Sequence, residues 1–118
     1  FRMNSVELAT ISNYNIPIIV VIFNNGVLGM VRQWQTLFYE KHYSETTLDR
    51  PPDFMKLAEA YGLAGYTAID EAEFKDALAK GLKDNAEGRT AIINAIIDKD
   101  ENVLPMVPGG KAIDEQIL

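Results

Sequence analysis

The chain has 118 residues, 47% apolar and 24% charged, and its 17 acids against 11 Lys and Arg give a net charge of −6. That length suits one domain with a single real core, and an acidic chain without a basic stripe is a poor candidate for binding nucleic acid or anionic lipid. Cysteine is absent, which removes disulfides, thiol nucleophiles and cysteine-held metals. The longest apolar run, Ile16 to Phe23, falls far short of the roughly 20 residues that a membrane helix needs.

Charge is unevenly placed. Residues 1–34 hold one acid, Glu7, and two bases, Arg2 and Arg32, so nearly all the negative charge lies beyond them. The near-neutral stretch is also the most apolar, and it is expected to be the buried part, with the acidic remainder forming the solvated surface. The chain opens Phe1-Arg2-Met3, with no initiator Met and no signal-peptide pattern. It is expected to be a segment of a longer, cytoplasmic protein.

Met3, Val6 and Ala9, with Leu8 and Ile11, share one broad apolar side, which predicts a helix over Met3 to Asn13. Pro17 opens a strand, where a sheet tolerates proline. Ile18 to Phe23 is apolar without alternation, the pattern of a strand covered on both faces in a parallel sheet; it is expected to be the most buried strand. Asn24-Asn25-Gly26 stops it. Residues 29–39 read as a helix carrying Met30, Val31, Trp34, Leu37 and Phe38, and residues 40–52 as a polar loop ending in Pro51-Pro52. Asp53 is a good N-cap for a helix with Phe54, Leu57, Ala58 and Tyr61 at i, i+3, i+4 and i+7 and a stop at Gly62. A short strand near Gly65 to Ile69 precedes Asp70-x-x-Glu73, a capping-box variant. That pattern starts a helix with Phe74, Ala77, Leu78 and Leu82 on one face, ending near Asp84. Ala91 to Ile97 is the last strand, and residues 98–118 form a Pro- and Gly-broken tail with a short helical end.

Strands alternating with helices predict an α/β fold: a three-layer parallel sheet with flanking helices. Three strands make a small sheet, and a strand preceding Phe1 in a longer protein would leave an orphan edge here, which invites pairing. In open parallel sheets ligands bind beyond the carboxyl ends of the strands. There the sequence places Asn24-Asn25-Gly26-Val27-Leu28-Gly29-Met30. A carboxamide oxygen and a main-chain carbonyl are neutral hard donors suited to Mg²⁺ or Ca²⁺. Asn-Asn-Gly is equally ordinary turn chemistry, and spacing alone leaves both readings open.

Phe1-Arg2-Met3-Asn4, Glu7-Leu8-Ala9-Thr10, Asn24-Asn25, Gly29-Met30, Gln33-Trp34-Gln35, Phe38-Tyr39 and Tyr43-Ser44 form the first part of a longer pattern. It continues through Pro52-Asp53-Phe54, Leu57 to Gly62 and Asn102 to Pro108. Together these resemble the C-terminal thiamine-diphosphate-binding domain of the acetolactate synthase large-subunit family, over nearly the whole chain. The resemblance implies an incomplete form of that fold and a parent that condenses two pyruvates, or pyruvate and 2-oxobutanoate, with loss of CO2 in branched-chain amino acid biosynthesis. It implies Mg²⁺ ligation by the Asn25 side chain and the Val27 carbonyl, with Leu28, Gly29 and Met30 lining thiamine diphosphate. Met30 and Trp34 would border the substrate channel, and no residue of this chain would be catalytic. FAD would be bound by a domain outside this chain. The parent would be a homodimer or tetramer, with its active site between subunits and a regulatory small subunit as a further partner. The family's Gly-Asp-Gly segment, source of the only charged metal ligand, has no counterpart in these residues. The chain by itself is therefore expected to lack activity and to hold metal weakly.

Other groups have plainer readings. His42, the only histidine, sits in a polar loop and is expected to be exposed. Asp70, Glu71, Glu73 and Asp76 fall in the first turns of a helix, where the dipole favours acids. Glu7 reads as a helix-surface residue, and Asn94, mid-strand, as a hydrogen-bonded buried amide. Two rivals remain: another thiamine-diphosphate-dependent 2-oxo acid enzyme, and a receiver-like α/β signalling module. The module needs acids at the end of the central strand, whereas Ile18–Phe23 ends in amides.

Overall fold

A computed structural model describes residues 1–118, which divide into two compact units. The first comprises Phe1–Asn25 and Arg50–Ile97; the second comprises Gly26–Asp49 and Asp98–Leu118.

The first unit is the layered α/β structure that the alternation predicts. A 3-10 turn over Arg2–Glu7 runs into α1 (Leu8–Asn13), followed by β1 (Ile19–Asn24). After residues of the second unit, including helix α2 (Gly29–Phe38), come α3 (Phe54–Ala60), β2 (Ala64–Ala68), α4 (Glu71–Ala86) and β3 (Ala91–Ile96). All strand pairs are parallel, in the order β1-β3-β2, with Val20 opposite Ile92 and Gly65 opposite Ile92. Alternation along a strand sends that row to one face. There Leu8 of α1, Phe54 and Ala58 of α3, Ile22 and Ile92 form the apolar core. The next row serves α4: Tyr66 lies opposite Ile93, and its hydroxyl donates to Asp84 of α4 at 2.6 Å.

Caps follow the sequence closely. The Asp53 carboxylate accepts the N–H groups of Met55 and Lys56, each at 3.1 Å. These bonds favour its charged form, the one from Lys56 most, and hold its pKa below the usual value. The Asp70 carboxylate accepts from Glu73 N at 2.8 Å, and the Glu73 carboxylate reaches back to Ile69 N at 2.9 Å. Both arms of a capping box are thus made, the second one residue further out than usual.

Three expectations need correction. The strand expected to be the most buried, Ile18–Phe23, lies at a sheet edge as β1, with Phe23 71% exposed. The middle strand is β3, whose Ala91, Ile92 and Ile93 are fully buried. An apolar run marks a strand that could be covered on both faces; it does not rank strands within a sheet. The expected helix Met3–Asn13 is a 3-10 turn followed by a short α-helix. With three residues per turn, Met3 and Val6 stack on a ridge that stays exposed, and only Leu8 is fully buried. The tail forms turns and one antiparallel bridge, Met106 to Ile117, where a short helical end was expected. Its Pro and Gly residues leave no uninterrupted helical stretch.

In the second unit, residues 26–28 run antiparallel to residues 46–48. Leu28 N donates to Thr46 O at 2.8 Å, Leu48 N donates to Gly26 O at 2.9 Å, and Val27 bridges Thr47. Helix α2 starts at Gly29, directly after this pairing.

Candidate functional site

At the carboxyl end of β1 the first unit presents two amides. Asn24 Nδ2 donates to Asn94 Oδ1 at 3.1 Å on neighbouring β3, and Asn24 O accepts from Ile97 N at 3.1 Å. This explains the half-buried amide in mid-β3: it ties the end of one strand to the next. Asn24 is thereby committed to the sheet. Asn25, the expected ligand, is half-buried at the unit's end.

The second unit carries the rest of the expected set. Gly26 has φ 67°, a left-handed conformation that costs glycine little. Val27 is buried, Leu28 is 45% exposed and Met30 is 76% exposed. The bonds to Thr46 and Leu48 fix the main chain of this segment on one side. Thr46 is itself buried, and its hydroxyl makes no hydrogen bond.

At the start of α2, Leu28 provides no side-chain cap, and no acid lies in the first turn. The positive end of the helix dipole is therefore not neutralised locally, the electrostatic setting that suits an anion. For a cation, the chain offers hard neutral oxygens, the Asn25 carboxamide and the Val27 carbonyl. They fit Mg²⁺ in kind. Both donors are neutral, so neither supplies charge to offset that of a dication.

Met30 and Trp34, one helical turn apart, line an open groove of about 680 Å³ with Val31, Phe38, Tyr39 and His42. Trp34 and Phe38 pack edge to face at 6.0 Å. The apolar side of α2 is thus its exposed side. The buried residues are Arg32 and Gln33, which apolar periodicity passes over. The available signal was indirect: a polar stripe on α2 opposite Met30, Trp34 and Phe38.

The acids of α4 behave as helix-start residues, Asp70 as cap and Glu71 and Asp76 in ion pairs with Lys75 and Lys80 at 2.6 and 2.5 Å. His42 and Glu7 are exposed. One acid escapes the expected solvated surface. Asp84 is 5% exposed, accepts from Tyr66 and pairs with Arg89. The bond to Asp84, followed by burial, holds the Tyr66 phenol above its ordinary pKa.

Comparisons with known proteins agree with this architecture. The family profile described as "Thiamine pyrophosphate enzyme, C-terminal TPP binding domain" matches residues 1–95. A probable acetolactate synthase large subunit of Methanocaldococcus jannaschii is 46% identical over 93% of this chain and 18% of its own length. An acetolactate synthase of Mycobacterium avium is 46% identical over 98% of this chain and 19% of its own length, and the large subunit of Lactococcus lactis is 44% identical over 99% and 20%. The chain thus spans about a fifth of the length of these relatives. Among solved structures, the thiamine diphosphate-dependent 4-hydroxybenzoylformate decarboxylase of Rhodococcus jostii RHA1 superposes with a TM-score of 0.71. It is 24% identical, over 82% of this chain and 18% of its own, a likeness of fold.

Proposed function

Since the chain belongs to the thiamine pyrophosphate enzyme family, as its C-terminal TPP-binding domain, we propose that residues 1–118 are the C-terminal part of that domain in an acetolactate synthase large subunit. The observation that carries this reading is the likeness to such subunits at 44–46% identity over 93–99% of the chain. It extends through the tail, past the last residue of the family profile. The parent decarboxylates pyruvate and joins the two-carbon unit to pyruvate or 2-oxobutanoate, in branched-chain amino acid biosynthesis.

When bound, thiamine diphosphate supplies the carbanion chemistry of such a reaction. This chain's residues bind and orient. Asn25, through its side chain, and Val27, through its carbonyl, would hold Mg²⁺, whose charge would offset that of the diphosphate. Leu28, Gly29 and Met30, at the uncapped start of α2, line the cofactor. Met30 and Trp34 border the channel for the second 2-oxo acid, and the Gly29-Met30 and Gln33-Trp34 pattern favours the biosynthetic branch that also carries FAD. The remaining parts, among them a carboxylate ligand for the metal, the flavin domain, the partner subunit and a regulatory small subunit, lie outside this chain.

The rival reading is a receiver-like signalling module. The strand ending in amides is an edge strand, and the central strand β3 ends at Ile96, two residues before Asp98. Family membership, not the residues at strand ends, removes that rival. The test is an assay of acetolactate formation from pyruvate by the longer polypeptide that carries this segment. Activity requiring both Mg²⁺ and thiamine diphosphate is expected, and decarboxylation to acetaldehyde alone would overturn the reading. Isothermal titration of the 118-residue chain with both should give no saturable micromolar binding.

A further inference from the structure

Residues 98–118 contain no helix or strand beyond the Met106–Ile117 bridge, and Val103, Ile113 and Leu118 are 79%, 85% and 88% exposed. Apolar burial therefore does not explain what holds this segment, and chain ends stay loose unless tied. The ties come from α2. Gln33, 7% exposed, donates from Nε2 to Val103 O at 3.0 Å and accepts from Val103 N at Oε1, also at 3.0 Å. Its carboxamide thus pairs with the Val103 main chain as a neighbouring strand would. Nε2 also approaches Met106 Sδ at 3.3 Å. One residue earlier, Arg32 Nε and Nη2 each meet Asp100 Oδ1 at 2.7 Å. The same guanidinium lies 3.8 Å over the Tyr43 ring. A buried amide or guanidinium left without partners is costly, and here the tail provides them.

From this geometry we infer that Gln33, seconded by Arg32, is a positioning residue that straps the C-terminal segment along the polar side of α2. The strap holds the helix whose first residues follow directly on Val27 and Leu28. Its apolar side, with Met30 and Trp34, is left for the groove. Strapping is a statement about the fold; its consequence for cofactor retention rests on the function proposed above.

Amide exchange followed by NMR on the full 118-residue chain reads the strap without cofactor. The Val103 amide should exchange at least tenfold more slowly than that of Leu104, and Gln33→Met, matched in volume but without the carboxamide, should erase the difference while Ile92 and Ile93 keep their rates. Equal exchange at Val103 and Leu104 in the unaltered chain, or slow exchange surviving Gln33→Met, would overturn it. In the longer synthase, Gln33→Met should raise the thiamine diphosphate concentration for half-activation severalfold with turnover at saturation retained. Unchanged half-activation would refute the positioning role. If the unaltered protein needs no thiamine diphosphate while Val103 still depends on Gln33, the functional reading fails and the strap stands.

Discussion

The two units of this chain are held together by different physics. The first is a small parallel sheet with fully buried Leu8, Ala58, Ile92 and Ile93 at its centre, and its stability comes chiefly from apolar area removed from water. In the second, the residues that α2 buries are an arginine and a glutamine. They hold the tail through directed bonds, and the large apolar side chains of α2 stay at the surface. A core of the first kind tolerates approximate chemistry provided volume is kept. A polar clasp does not, because each missing partner strands a buried group.

The largest expected effect breaks the first unit. Ile92→Ala removes a fully buried side chain from the central strand and should cost about 3 kcal/mol in urea unfolding; a cost below about 1 kcal/mol would mean that β3 is not the centre of the core. Asp84→Ala comes next, at about 1 kcal/mol, since it removes the acceptor of the Tyr66 hydroxyl while Arg89 keeps its pair with Glu87. Alkaline titration sharpens the same point. The raised pKa of Tyr66 means that the folded state favours the neutral phenol, so this contribution is intact below about pH 10 and is lost as pH climbs through the raised value. Tyr66→Phe should lower stability at neutral pH and flatten that alkaline decline. At the acid end, Asp53 titrates below its ordinary value, so its cap is present above about pH 4 and fades beneath it; Asp53→Asn should flatten the acid limb of the unfolding profile. The smallest effect belongs to the second unit. Met30→Ala, on the exposed side of α2, should shift stability by no more than about 0.5 kcal/mol, and a loss above 2 kcal/mol would mean that this side is core after all.

The same contrast explains what could be read from the residues. Caps at Asp53 and Asp70, the helix from Phe54 and the α/β alternation depend on local chemistry and periodicity, and they stand as expected. Strand order is a non-local property. Nothing in Ile18–Phe23 as against Ala91–Ile97 says which strand has a neighbour on both sides. Arg32 and Gln33 were hidden because their partners lie some 70 residues away in the chain and because polar helix positions ordinarily face water. The roles of Asn25 and Val27 entered through the family resemblance, since an Asn-Asn-Gly turn has the same composition whether it holds a metal or merely reverses the chain.

The proposed function makes Asn25 a neutral oxygen ligand in one half of a magnesium–diphosphate cradle. The most direct test is Asn25→Ala in the longer synthase, with thiamine diphosphate affinity and turnover at saturating cofactor measured side by side. Affinity should fall at least tenfold while turnover at saturation is largely kept. Unchanged affinity with reduced turnover would contradict the assignment.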